Sequence, residues 1–124
     1  MAVGLAAAAV NGWLDGTYAT ASCFIKLHTG DPGAAGATLP AGGSTTRVQA
    51  TMAAASGGSK AMSSMASPWT NVTTTETISH ISIWSAAAAG TFNGSAALTA
   101  AQPWANTNTL TLTSFSVAIS PIAA

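Results

Sequence analysis

Glu76-Thr77-Ile78-Ser79-His80-Ile81-Ser82-Ile83-Trp84 is the stretch that decides the fold. Successive side chains of a strand point to opposite faces. Here Ile78 and Trp84 fall in one phase, Ile81 and Ile83 in the other, which suits a strand covered on both sides. Downstream, Ala86 to Gly90 reads as a small-residue turn, and Thr91 to Leu98 as a second strand with Phe92 near its start. Asn93-Gly94 is a hairpin-type dipeptide, and Pro103-Trp104-Ala105-Asn106 reads as a bend. Thr109-Leu110-Thr111-Leu112-Thr113 alternates leucine in, threonine out, while Phe115, Val117 and Ile119 alternate in the opposite phase. The slip at Ser114 predicts a bulge or a corner. Pro121 is expected to end the last strand. Short strands at this spacing predict a mainly β fold, an antiparallel β-sandwich or barrel-like domain.

Upstream, Ala21 to His28 reads as a strand with Cys23, Ile25 and Leu27 on one face and Phe24, Lys26 and His28 on the other. Thr29-Gly30-Asp31-Pro32-Gly33 ends it, since Pro fixes its own φ, Gly supplies unusual angles and the Asp side chain bonds nearby amides. Residues 33–46 are rich in Gly, Ala, Ser and Thr, and are expected to form a long exposed loop or arm. Arg47 to Ala53 alternates as a strand through Val48, Ala50 and Met52, and Ser56-Gly57-Gly58-Ser59 is a turn signal. Lys60 to Trp69 is ambiguous in period, with Pro68 opposing a continuing helix. At the start, Val3, Ala6 or Ala7, Val10 and Leu14 recur at helical spacing beside Trp13. A short N-terminal α-helix over residues 1–16 follows, with Gly16 expected to close it. Most of its circumference is apolar, so it packs on the rest of the domain or on a partner. The whole is one domain over 1–124, with the β part at 17–120.

Composition narrows the function. Only 5% of the 124 residues are charged, three Lys+Arg against three Asp+Glu. An ordinary soluble domain carries about 25%. A surface this poor in charge is weakly protected against self-association and suits burial against neighbours; a weakly charged secreted monomer is the alternative. Lys26, Arg47 and Lys60 are scattered, with no basic stripe for nucleic acid. The apolar run Val3 to Val10 is too short to span a bilayer, which needs ~20 residues. Ala19-Thr20-Ala21 looks like a leader cleavage site, but no Lys or Arg precedes Lys26, so a cleaved leader is not expected. Cys23 is the single cysteine, and no internal disulfide is possible.

No catalytic constellation emerges. A Cys23–His80 nucleophile pair has no spacing evidence for an orienting third group, and a strand cysteine usually serves as a small hydrophobe. His28, His80, Asp15, Asp31 and Glu76 lack the close ligand spacing of a zinc site. Gly30-Asp31-Pro32-Gly33 lacks the lysine and following helix of a phosphate loop. No cofactor and no metal is expected. Trp13, Trp69, Trp84 and Trp104 would either fill the core, anchor an interface, or stack on sugars. Too few polar residues accompany them to orient a sugar, so packing is the preferred reading. Val3, Val10, Trp13, Leu14, Trp69 and Trp104 are the candidate interface residues.

Two stretches carry a resemblance. Phe24-Ile25-Lys26-Leu27-His28-Thr29-Gly30-Asp31-Pro32-Gly33 is similar to the strand and turn near the start of small structural proteins of tailed bacteriophages, especially actinobacteriophages. Ile78-Ser79-His80-Ile81-Ser82-Ile83-Trp84-Ser85-Ala86-Ala87 with Gly90-Thr91-Phe92-Asn93-Gly94 resembles their later strand and hairpin, and Leu110 to Val117 their finish. The order and spacing agree from about Asn11 to Ile119. The chain departs from the pattern at Ala35-Gly36-Ala37-Thr38-Leu39-Pro40, where such proteins carry acidic residues and asparagine, and at Thr46, where they carry an aromatic. Such proteins are minor tail, tail-fibre or head-decorating components. The resemblance therefore implies a non-enzymatic virion protein, assembled in the host cytoplasm. The expected role is capsid decoration or minor capsid protein. A minor tail or tail-fibre protein is the alternative, and a secreted glycan-binding β-sandwich module a more distant one. The expected partners are further copies of the chain, a trimer first, and virion proteins such as the major capsid protein. Neither nucleic acid nor membrane is expected as a direct partner, and a host-surface glycan has no supporting feature.

Overall fold

A computed structural model describes residues 3–18, 23–72 and 74–119. Among these residues one helix, α1 (Ala7–Thr17), precedes eight strands: β1 (Cys23–His28), β2 (Val48–Met52), β3 (Ser59–Met65), β4 (Trp69–Thr70), β5 (Glu76–Trp84), β6 (Phe92–Trp104), β7 (Thr109–Leu110) and β8 (Ser116–Ala118). Six of them form a curled antiparallel sheet in the order β6-β5-β1-β2-β3-β8, a half-barrel, and β4 pairs with β7 as a separate ribbon. The domain is mainly β with one short N-terminal helix, as the alternation predicts.

The concave face is the core. Cys23, Ile25 and Leu27 of β1, Val48, Ala50 and Met52 of β2, and Ile81 and Ile83 of β5 are all buried in one cluster with Ile78, Trp69 and Trp104. Each fully buried aliphatic side chain contributes roughly 1.5–3 kcal/mol by leaving water. Ile78 joins Ile81 in that cluster despite its opposite phase, because the β5–β6 register shifts between Ile78 and His80. The convex face of β5 is covered as well, so that Ser82 is buried between buried Ile81 and Ile83. His28 and the chain that follows supply that cover.

The helix closes one end of the concave side. Val10 and Leu14 are buried beneath it, Asn11 Oδ1 accepts the Gly58 N–H at 2.9 Å, and Asp15 Oδ1 accepts the Ala55 N–H at 3.0 Å and the Lys60 ammonium at 2.6 Å. Its far end is held to β6, where the Tyr18 hydroxyl donates to the Asn93 carbonyl. Gly16 does not close the helix; it lies inside the last turn, and Tyr18 caps it by donating its N–H to the Leu14 carbonyl at 2.8 Å.

Several boundaries differ from the sequence reading. Residues 33–46 are not a free arm. Thr38 N–H donates to Pro32 O, Thr29 N–H to Leu39 O, and Ala41 N–H to Leu27 O. The Glu76 carboxylate accepts the N–H groups of Gly42 and Gly43. Ala41 is fully buried. Backbone groups that cannot reach water must find partners, and here the loop is laid against the sheet to find them. Asn93-Gly94 lies inside β6, with Gly94 opposite Ile83. The turn between β5 and β6 is the small-residue stretch Ala86 to Gly90 expected from the sequence, where Ala89 and Gly90 take positive φ and Ser85 N–H donates to Thr91 O. β6 runs through Pro103, which an edge strand tolerates, and the bend falls at residues 105–108. The 109–113 alternation holds in burial, with Leu110 and Leu112 half-buried and the threonines exposed, but only Thr109–Leu110 stays in a ladder. Beyond it residues 111–115 lie in no ladder and show neither the bulge nor the corner expected at Ser114, although the phase of burial does change across it, and Phe115 O accepts the Met62 N–H. The Ala19-Thr20-Ala21 stretch and Pro121 lie outside the described residues.

Candidate functional site

The two family-like stretches meet on the convex face of the sheet. His28 Nδ1 lies 2.9 Å from the Thr38 carbonyl, which only accepts, so Nδ1 carries the proton and donates. Nε2 is then the acceptor, and the Ser82 hydroxyl at 2.7 Å donates to it. Ser82 Oγ in turn accepts the Trp84 indole N–H at 2.8 Å. The chain of bonds ties β1, the 33–46 loop and β5 together. Around it, the Arg47 guanidinium sits 3.8 Å over the Trp84 ring and donates to Ala86 O and Ala89 O at 3.1 and 2.6 Å, fastening the 85–90 turn. Phe92 tilts against Trp84 with centroids 5.4 Å apart, and Gly36 lies so close to Phe92 that an added Cβ would come within 2.5 Å of its ring.

A serine bonded to a histidine invites a catalytic reading, which the surroundings oppose. His28 and Ser82 have no solvent exposure at all, so no substrate reaches the hydroxyl. The far nitrogen bonds a neutral carbonyl in place of the carboxylate that steadies an imidazolium. Burial holds the His28 pKa below the usual histidine value, keeping the ring neutral and the bonds in the arrangement above. The network is a fastener. Cys23 and His80 belong to opposite faces of the sheet and do not form a pair. Burial pushes the Cys23 thiol up to about 11, far from a reactive thiolate. Asp31 accepts the Gly33 N–H within its own turn. Among the described residues no group of three or more His, Cys, Asp or Glu stands ready to hold a metal. No helix among them is long and apolar enough to cross a membrane.

For a packing protein the informative features are at the surface. Of the candidate interface residues, Val10, Leu14, Trp69 and Trp104 are buried inside the chain's own fold; Trp69 donates its indole N–H to Thr46 O and Trp104 to Asn108 O. Val3 and Trp13 remain outside, 91% and 53% exposed. Leu5, Leu39 and Val72 are exposed too, and sequence reading missed them because they fall outside any periodic run. Between the middle of β6 and residues 110–116 the half-barrel is left open as a groove of about 550 Å³, floored by Leu27, Trp69 and Ile81. The ladder of β7 ends at Leu110, before the phase slip at Ser114, and no periodic pattern in the sequence signals the groove. A second, shallower hollow of about 420 Å³ lies among glycines, hydroxyls and Trp69 at residues 42–46 and 67–72.

The family model described as Podophage GP4 fiber I protein gp80 matches residues 1–120. Among curated proteins none matches the chain. The chain therefore belongs to this phage fibre-protein family and is a structural protein of that type. The match supports the broad phage resemblance of the sequence and points to a fibre family, not specifically to the actinobacteriophage minor-tail or head-decoration kind.

Proposed function

Taking that membership as the premise, we propose that the chain is a component of a phage tail fibre, the alternative role named in the sequence reading, in place of the capsid-decoration role expected first from the resemblance. The observation that carries this reading is the fibre description of a family that spans residues 1–120. The surface agrees with it: a chain with 5% charged residues and an exposed tryptophan is suited to permanent contact with neighbours. The mechanism is mechanical. Repeated apolar contacts between copies, and with adjoining virion proteins, add up through multivalency. A homo-oligomer, with three copies as the expected closure, is built in the host cytoplasm and carried on the virion.

Copy number tests the assignment. Quantitative mass spectrometry of purified particles is expected to return a few dozen copies or fewer, and antibody labelling in the electron microscope is expected on the tail. Hundreds of copies spread over the head would return the chain to the shell.

A further inference from the structure

We infer that the groove between β6 and residues 110–116 receives Trp13 from a second copy of this chain, in a head-to-tail contact. The inference goes beyond the fibre reading and does not depend on it, since the contact needs no other virion protein.

The groove suits an indole. Its floor of Leu27, Trp69 and Ile81 and its walls of Leu98, Leu112 and Phe115 are apolar, and no residue lining it is ionisable. The rim carries the hydroxyls of Thr99 and Thr113 and the amide of Gln102, all exposed. An indole buries roughly 150–250 Å² of mostly apolar surface and has one N–H that seeks an acceptor. An apolar pit with hydroxyl and amide oxygens at its lip meets both needs, at a size of about 550 Å³.

The occupant is on the same chain. Trp69, Trp84 and Trp104 each spend their indole N–H on an internal acceptor. Trp13 has no such bond and stands 53% exposed on α1. Gly12 and Gly16 flank it, and a Cβ at either position would meet nothing within 4 Å. The helix backbone beside the ring is therefore open to the lip of a partner groove. Trp13 does not line its own groove, and its helix is held elsewhere by Lys60, Gly58 and Asn93. Neither surface carries a charge that would favour a different, ionic partner, apart from Asp15, which already pairs with Lys60.

Knob and hole are different patches, so the contact is heterologous. Each added copy leaves one free tryptophan and one free groove, and the series either closes into a ring or propagates.

The test uses the full chain. Wild type is expected to form species larger than a dimer in native mass spectrometry and sedimentation, whereas Trp13→Ala and Leu112→Arg each yield monomers with an unchanged far-UV spectrum. Mixed together, the two variants are expected to give heterodimers and nothing larger, because one retains the groove and the other the tryptophan. Thr113→Arg, exposed at the rim, blocks the groove without entering the core and replaces Leu112→Arg if that variant does not fold. A monomeric wild type, a Trp13→Ala chain that assembles like wild type, or a mixture that stays monomeric would each overturn the contact.

Discussion

At the scale of single residues, the buried His28 and the exposed Asp15 set how the fold answers to pH. His28 is neutral in the folded chain because burial disfavours its cation. The unfolded chain binds that proton more readily, so stability rises with pH across the interval between the folded and unfolded values. The contribution is whole above the ordinary histidine value of about 6.5 and is lost as pH falls through the lowered folded one. Melting curves are expected to shift down on acidification below about pH 6.5, and His28→Gln is expected to flatten that response. A wild-type melting point level down to the carboxylate range would contradict the neutral-histidine fastener. Asp15 acts in a lower window. Its hydrogen bond from Lys60 holds its carboxyl below the usual value, so its contribution is present above the ordinary carboxylate pKa and fades as pH drops through the folded one. Lys60 is 1% exposed, and a buried cation stripped of its partner costs more than an apolar pair of the same shape. Asp15→Asn is accordingly expected to lower the melting temperature, and adding Lys60→Met is expected to recover part of the loss. If the double variant melts lower than the single one, the latch is misread.

At the scale of elements, the short β4–β7 ribbon is supported by what it covers. Its single ladder joins Trp69 to Leu110 and Thr70 to Thr109, too little to stand alone. Trp69 and Trp104, each 1% exposed, fill the space beneath it. Trp104→Ala is expected to cost about 3–5 kcal/mol in denaturant unfolding; a loss under about 1 kcal/mol would mean that the ring fills no real core. The loop 33–46 has a comparable pivot at Gly36, where φ is +70° and a side chain would strike Phe92. Gly36→Ala is expected to destabilise by about 1–3 kcal/mol from backbone strain alone, read in the same experiment. How legible these elements were depended on the signal each emits. Alternation placed Val48, Ala50 and Met52, and Cys23, Ile25 and Leu27, on the buried face. Of the two turn signals, the small-residue stretch Ala86 to Gly90 makes the turn, whereas Asn93-Gly94 has the right chemistry for a hairpin yet lies within β6, with Tyr18 and Thr17 holding Asn93 from outside the strand. Tertiary contacts overrode a local preference.

At the scale of the whole molecule, the question is what holds copies together. With three cations and three anions in the whole chain, ionic contacts have little part, and apolar contact carries the association. Salt screens exposed charges and leaves apolar contact intact. Association of the purified chain is expected to persist at about 0.5 M sodium chloride in sedimentation velocity; dissociation there would reveal ion pairs as the glue. The candidate surface was partly legible. Trp13 was named from its place on an apolar helix and does stand outside, whereas Trp69 and Trp104, named beside it, turned inward. Nothing local distinguishes these cases, since a tryptophan after a proline fills a core or a neighbour equally well until the rest of the chain is placed around it.

The amino-acid pattern by itself determined that this chain is a β domain with one helix, and that the alternating side chains of β1 and β2 enter its core. Those features are periodic or compositional, and each is written within a few residues of itself. Only the folded structure decided that His28 bonds Ser82, 54 positions away, that Lys60 reaches back 45 to Asp15, and that a groove stays open beside β6. Such pairings are set when distant segments share one buried volume, and no window along the chain contains both partners.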